Sequence, residues 1–310
     1  MMNLYTIVVT YNGEQWIEAC IESLVSSRLT TEIVVVDNAS TDGTVAQIAS
    51  RFPDVKVLAQ PENLGFGKAN NIGISYALGQ GADYVFLLNQ DARVGPDTLE
   101  QLVEGFKREP LYGVLSPVQC TWKGDALEYY FSQFMMANPL FYSDYVLKKA
   151  ALAVYEVPFV NAASWLLPRQ VLERVGGFDP IFKHYGEDNN YCQRIAYHGF
   201  KVGVVPDAYV YHDARVRNMP KDYLFSDVYW HHEVKNLQVR YANINSTYSK
   251  KDFRLVKQRL VRLILIQVLQ LNLRKAWGYL KKYRIFEKAF GSIEASRKRN
   301  SQSGSHYLNC

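Results

Sequence analysis

Four short runs of apolar, largely β-branched residues alternate with stretches of helical apolar spacing over the first ninety positions. Tyr5–Thr10, Ile33–Val36, Val55–Leu58 and Tyr84–Leu88 read as strands. Glu14–Ser27, Thr44–Arg51 and Lys68–Leu78 read as the helices between them. Continuously apolar strands belong to sheets covered on both faces, and parallel neighbours need such crossovers. The expected class is therefore α/β: a Rossmann-like, mostly parallel sheet flanked by helices. With 310 residues, 48% of them apolar, the chain is long enough to bury such a sheet.

From Tyr112 to His212 the pattern is less regular and rich in aromatics. Phe159–Val160 and Val202–Val205 read as short strands. Pro168–Val175 reads as a helix opened by proline and stopped by Gly176-Gly177, and Glu187–Tyr197 as another. Long helices are expected over 223–241 and 251–290, then a disordered polar tail over 292–310. The division is thus a body of residues 1–222, with halves 1–110 and 111–222, a helical extension over 223–291, and the tail.

The net charge of +5 is unevenly spread. Residues 250–299 hold 15 Lys/Arg against 3 Asp/Glu, and the remainder 20 against 27. An acidic body argues against a nucleic-acid partner. The basic helices of 251–290 suit an anionic membrane surface; the alternatives are packing on the body or pairing two copies as a homodimer. No run reaches the roughly 20 apolar residues of a spanning helix. The longest, Leu263–Leu273, has 11 and includes Gln267, Gln270 and Asn272. No basic-then-apolar leader is visible, so no signal peptide is expected. Four dispersed cysteines without a CxxC pair suit a reducing compartment.

In open parallel sheets, ligands sit beyond the carboxyl ends of the strands. Those ends carry Thr10-Tyr11-Asn12, Asp37-Asn38 and Asn89-Gln90-Asp91. Singly, each is an ordinary turn or cap. Three on one edge indicate a binding cleft. No GxGxxG follows the first strand, so phosphates would need another neutralising device, such as a metal. Asp91 suits Mg²⁺ or Mn²⁺, which take oxygen ligands. Capping the next helix is the plainer role, but that helix begins near Pro96, too far for a direct cap. Glu187-Asp188 could supply a general base, or merely favour a helix dipole. His212 could add a nitrogen ligand or be a satisfied structural histidine; only its combination with Asp91 favours the ligand. His231-His232 read as structural.

Taken together, TIVVTYNG (6–13), IVVVDNASTDGT (33–44), PENLGFGKANNIGI (61–74), VFLLNQDA (85–92), GGFDPIF (176–182), GEDNNYCQR (186–194) and His212 resemble the family 2 glycosyltransferases of the GT-A fold, in particular the bacterial rhamnosyltransferase-like branch. The resemblance covers residues 3 to about 215. It implies an inverting hexosyltransferase that moves a sugar from a nucleotide-diphosphate donor, with dTDP-L-rhamnose favoured and UDP-sugars the other option. The acceptor would be a glycan or a polyprenyl-diphosphate-linked glycan in cell-surface polysaccharide synthesis, at the cytoplasmic face of the plasma membrane.

By the same resemblance, Thr10, Tyr11, Asn12, Asp37, Asn38, Asn63, Gly65, Lys68, Asn70, Asn89 and Gln90 line the donor site. Asp91 matches the last acid of the DXD motif and His212 a second metal ligand. Asp188, or secondarily Glu187, matches the base. Two departures stand out: Asn89 replaces the first DXD acid, and Asn189-Asn190 replaces an apolar-acid pair. Two other functions compete. A non-catalytic nucleotide-sugar-binding or scaffold protein would account for Asn89, whereas a nucleotidyltransferase would want a Gly-rich basic loop that Thr10–Trp16 lacks.

Overall fold

The computed structural model describes residues 2–149, 151–183, 185–214, 223–248 and 250–309. The first half runs β1 (Leu4–Thr10), α1 (Ile17–Val25), β2 (Glu32–Asp37), α2 (Thr44–Arg51), β3 (Lys56–Ala59), α3 (Phe66–Gly79), β4 (Tyr84–Asn89), β5 (Ala92–Val94) and α4 (Thr98–Arg108). Next come β6 (Tyr112–Thr121), α5 (Tyr129–Met136), α6 (Pro139–Val146), β7 (Tyr155–Glu156), β8 (Ser164–Pro168), α7 (Arg169–Val175), α8 (Glu187–Tyr197) and β9 (Lys201–His212). Helices α9 (Asp227–Tyr241), α10 (Lys250–Leu269) and α11 (Leu273–Asn300) follow.

One sheet takes the order β3-β2-β1-β4-β8-β6-β9-β5, with β7 added on β9. The first four strands in that order are parallel, as their apolar runs predict. Their register sets Thr10 beside Asp37 and Val9 beside Asn89, so three polar ends share one edge. Beyond β4 the sheet is mixed, because β8 runs antiparallel to both β4 and β6. The strand expected at Phe159–Val160 does not form. Ser164–Pro168 takes that role, its five residues wholly buried between neighbours, so packing rather than alternation selects it. Strand β9 exceeds the expected Val202–Val205. Its pairing with β6 steps from Val205 to Tyr209, a bulge at Pro206, which has no N–H for the ladder. The strand then resumes and delivers His212.

Alternate residues of the strands feed two cores. Ile7, Val34, Val36 and Trp165 pack with Ile74 of α3, Val171 of α7 and Tyr191 of α8. Val8, Val35 and Phe86 pack with Ile17 and Ile21 of α1 and Leu99 of α4. Helix α3 sits flush on the sheet because Gly73 has no side chain; a Cβ there would lie 2.3 Å from Ile7 Cγ2.

A third cluster joins Phe182 to Leu237, Tyr241, Phe253, Phe286 and Ile293, so the bases of the C-terminal helices are packed on the body. The boundary expected at residue 222 falls outside the described residues. The stretch expected to be helical over 251–290 is broken. Leu271 adopts φ 56°, and the Asn272 side chain caps α11 by accepting from Lys275 N at 3.2 Å. Helices α10 and α11 therefore fold back on each other as a hairpin.

Nor is the tail disordered. Its apolar content is low, but its polar groups find buried partners. Ser296 Oγ and Asn300 Nδ2 both donate to Asp179 Oδ2, at 2.6 and 2.7 Å. Gly177 N donates to His306 O at 2.8 Å, and Leu308 enters the first core. This segment thus buttresses the turn that leads into α8. Gly176 has φ 84°, and a Cβ there would lie 2.4 Å from His306 O. Gly176→Ala should therefore cost about 1–3 kcal/mol and lower the melting temperature by several degrees. An unchanged melting curve would mean the tail is not seated on this turn.

Among the described residues, no helix is long and apolar enough to cross a membrane. Cys20, Cys120 and Cys192 are free and buried, and Cys310 lies outside the described residues.

Candidate functional site

The loops beyond β1, β2 and β4 are laced together by their own side chains. Thr10 Oγ1 and Tyr11 N both donate to Gln90 Oε1, at 2.6 and 2.9 Å, and Gln90 Nε2 donates back to Tyr11 O at 3.2 Å. Asn12, held at φ 48°, accepts from Thr41 N at 2.8 Å, while its own N–H donates to Ser40 Oγ at 2.9 Å. Asp37, buried, accepts from Ser40 N through both carboxylate oxygens.

Asn38 Oδ1 accepts from Leu64 N at 3.1 Å, tying β2 to the loop that precedes α3. In that loop Asn63 Oδ1 accepts from Gly65 N at 2.9 Å. Asn70, buried, donates to Phe66 O at 3.0 Å. Most amide residues expected in the donor site therefore use their side chains to hold these loops together. Tyr11 and Lys68 remain exposed.

The expected cation ligands, remote in sequence, do meet. Strand β5 is only three residues long, but it pairs antiparallel with the end of β9 and sets Ala92 opposite His212. Asp213 N donates to Asp91 O at 2.9 Å, closing the pair. His212 Nε2 then lies 3.3 Å from Asp91 Oδ1 and 3.4 Å from Asn89 Nδ2. The histidine is buried, and its Nδ1 has no hydrogen-bond partner.

A carboxylate oxygen, an imidazole nitrogen and an amide converge, and turning the Asn89 amide over presents its carbonyl oxygen instead. That donor set fits a divalent cation which keeps positions open for water and phosphate oxygens. No group of three or more His, Cys, Asp and Glu gathers among the described residues, so a cation here would draw on Asn89 or on its substrate. Sequence reasoning missed Asp213, which accepts from Trp16 Nε1 at 2.9 Å and fastens the loop after β1 to the end of β9. Its signal was its place directly after His212.

The acid pair opens α8, behind Gly186 at φ 93°. Glu187 is buried, and its Oε2 has no hydrogen-bond partner. Burial first, and then the neighbouring Asp188 charge, push the Glu187 carboxyl up to about 7. Asp188 is half-buried and accepts from Asn189 N at 2.7 Å. Burial still raises its carboxyl above the ordinary value, against that hydrogen bond and the charge of Lys235.

Lys235 comes from α9, which packs over the start of α8; a Cβ on Gly186 would lie 3.1 Å from Lys235 Cγ. No local pattern in α9 marks this lysine. The first turn of α3 also approaches the acids, since a Cβ on Gly67 would lie 3.7 Å from Glu187 Cβ.

The description "Glycosyl transferase family 2" matches residues 5–176. The chain is 27% identical over 233 residues to an N-acetylglucosaminyl-diphospho-decaprenol L-rhamnosyltransferase of Mycobacterium tuberculosis, covering 67% of this chain and 75% of that protein. It is 28% identical over 216 residues to a dTDP-rhamnosyl transferase of Shigella flexneri, covering 68% and 69%. Among solved structures, TarS of S. aureus in complex with UDP-GlcNAc is similar with a TM-score of 0.56 at 17% identity, over 97% of this chain and 89% of that one. A mannosyltransferase of Pyrobaculum calidifontis with GDP-Man and Mn²⁺ gives 0.51 at 21%, over 96% and 86%. These structural likenesses speak to the fold, a GT-A-like mixed sheet flanked by helices.

Proposed function

The chain belongs to glycosyl transferase family 2, and from that premise we propose that it is an inverting transferase that moves L-rhamnose from dTDP-L-rhamnose to a hydroxyl of a polyprenyl-diphosphate-linked glycan. The sugar and the acceptor follow the names of the M. tuberculosis and S. flexneri relatives. The observation that carries the reading is the convergence of Asp91, His212 and Asn89 beyond the sheet edge. These three residues would hold Mg²⁺ or Mn²⁺, which when bound offsets the charge developing on the leaving diphosphate.

The other roles fall to the chain itself. Tyr11, Asp37 and Lys68 border the nucleotide, inside loops that Thr10, Asn12, Asn38, Asn63, Gly65, Asn70 and Gln90 shape. Asp188, only half-buried, removes the acceptor proton as the oxygen attacks the anomeric carbon. The bond to the diphosphate breaks on the opposite side with its electrons leaving on oxygen, so configuration inverts. Glu187, buried and raised to about 7, shapes the field around that base. The acceptor class implies work at a membrane surface, on the cytoplasmic face.

Release of nucleoside diphosphate from candidate donors tests the activity. Melting with dTDP-L-rhamnose, UDP-hexoses or GDP-mannose, each with Mn²⁺, tests the donor. A ligand at about a hundred times its Kd adds about 2.7 kcal/mol to the native state, a clear upward shift. We expect dTDP-L-rhamnose to give the largest. A larger shift with a UDP-sugar would replace the donor. Binding without turnover for every donor and acceptor would favour a non-catalytic nucleotide-sugar binder.

A further inference from the structure

The C-terminal hairpin carries a surface that the transferase chemistry does not use. Its base is anchored in the third core through Phe253 and Phe286. Between Leu260 and Ala276, however, no residue is buried. That stretch includes the turn, where Leu269 is 84%, Leu271 85% and Leu273 68% exposed. Ile266, Val268 and Trp277 are exposed beside them. Soluble monomers rarely leave so many large apolar side chains contiguous without a partner.

Charge identifies the partner. From Phe253 to Phe286 the chain has nine Lys/Arg and no Asp or Glu. Arg262, Arg274 and Lys275 are exposed around the apolar turn. Further down, a groove of about 730 Å³ between the helices sets Arg254 and Arg262 around Phe253, Val261 and Leu265, with Lys257 there paired to Glu287 at 2.7 Å. Apolar side chains at a tip, ringed by cations without acids, match the boundary between acyl chains and anionic headgroups. A second copy docked through this tip would set Arg262, Arg274 and Lys275 against the same cations. Neither helix can span a bilayer, so this element lies in the surface rather than crossing it.

We propose that the α10–α11 turn is a membrane-insertion element: Leu269, Leu271 and Leu273 enter an anionic leaflet while Arg262, Arg274 and Lys275 meet its headgroups. This deepens the membrane-surface part of the proposed function and rests on it.

The test is co-sedimentation of the full-length chain with vesicles of phosphatidylcholine alone and of phosphatidylcholine mixed with phosphatidylglycerol. The wild type should pellet with the mixed vesicles and be partly released by salt, because surface attraction is screened. Leu269→Glu with Leu271→Glu should lower the partition coefficient at least roughly a hundredfold, since two leucines lose their burial. Arg274→Glu with Lys275→Glu should remove the preference for phosphatidylglycerol. All four positions are exposed, so melting curves should be unchanged and certify folding. Wild-type pelleting by the leucine variant would overturn the proposal. So would a wild-type dimer in light scattering that this variant dissolves while no vesicle binds. Nucleoside diphosphate release, assayed without vesicles, keeps the two readings apart: its absence in the wild type sinks the transferase, and vesicle binding still decides the tip.

Discussion

Asp91→Ala is expected to abolish nearly all sugar transfer and to leave the protein folded. The side chain is 27% exposed, so its removal opens no core cavity. What it removes is the carboxylate that lies 3.3 Å from His212 Nε2. In the proposed reaction the diphosphate would then leave with its negative charge far less compensated. A residual kcat above roughly a tenth of wild type corresponds to only about 1.4 kcal/mol of barrier, too little for that role, and would sink the assignment. Calorimetric titration with Mn²⁺ gives an independent readout, and the variant should lose the binding transition. Asn89→Asp tests the same place with the opposite sign. The amide already lies 3.4 Å from His212 Nε2, so a carboxylate there should tighten Mn²⁺. Unchanged or weaker affinity would mean that position 89 does not face the ion.

The parts of this site differ in how far the sequence disclosed them. Strands β1, β2 and β4 are uninterrupted apolar runs, so their polar ends could be located and placed on one edge. Strand β5, by contrast, is three residues long, too short for any period. Yet its pairing with β9 is what brings Asp91 and His212 together. The sequence offered Asp91 and His212 as a combination, and the family resemblance repeated it, but neither disclosed the strand pairing that joins them. Strand β8 was missed because wholly buried residues show no alternation, and nearby Phe159–Val160, an aromatic next to a β-branched residue, has the stronger strand propensity.

The tail misled for the opposite reason. Ser296 and Asn300 are polar by composition, but a single buried acceptor, Asp179 Oδ2, takes both. Lys235 and Asp188 meet only because α9 packs across α8, a contact with no local signature. Likewise, the break at Leu271 turns a basic amphipathic stretch into a hairpin with an exposed tip, which helical periodicity alone would have carried straight through.

The acid pair makes the sharpest remaining prediction, because its two members should behave differently. Asp188→Asn keeps the shape and removes the proton acceptor. Donor and Mn²⁺ should still bind, while kcat falls at least about a hundredfold, within the ~10²–10⁴-fold range of general-base catalysis. Glu187→Gln should hurt less, since Glu187 is buried while Asp188 is only half-buried. A greater loss from Glu187→Gln would reverse the two roles, and no loss from either would leave the pair as a helix cap.

Stability separates them further. The Glu187 carboxyl sits at about 7 in the folded chain against 4.5 ordinarily. Between those values the native state binds more protons than the unfolded one. Stability from this group is therefore whole below about 4.5 and is lost as pH rises through about 7. Glu187→Gln should remove that decline and raise the melting temperature, relative to wild type, at pH 8. Lys235 pulls the other way on both acids, lowering them. Lys235→Met should thus push the Asp188 carboxyl higher and move the acidic limb of the pH–rate profile to higher pH, with kcat at pH 9 nearly preserved. A uniform loss of kcat at every pH would show that Lys235 merely holds α9 on α8, and that the base answers to some other charge.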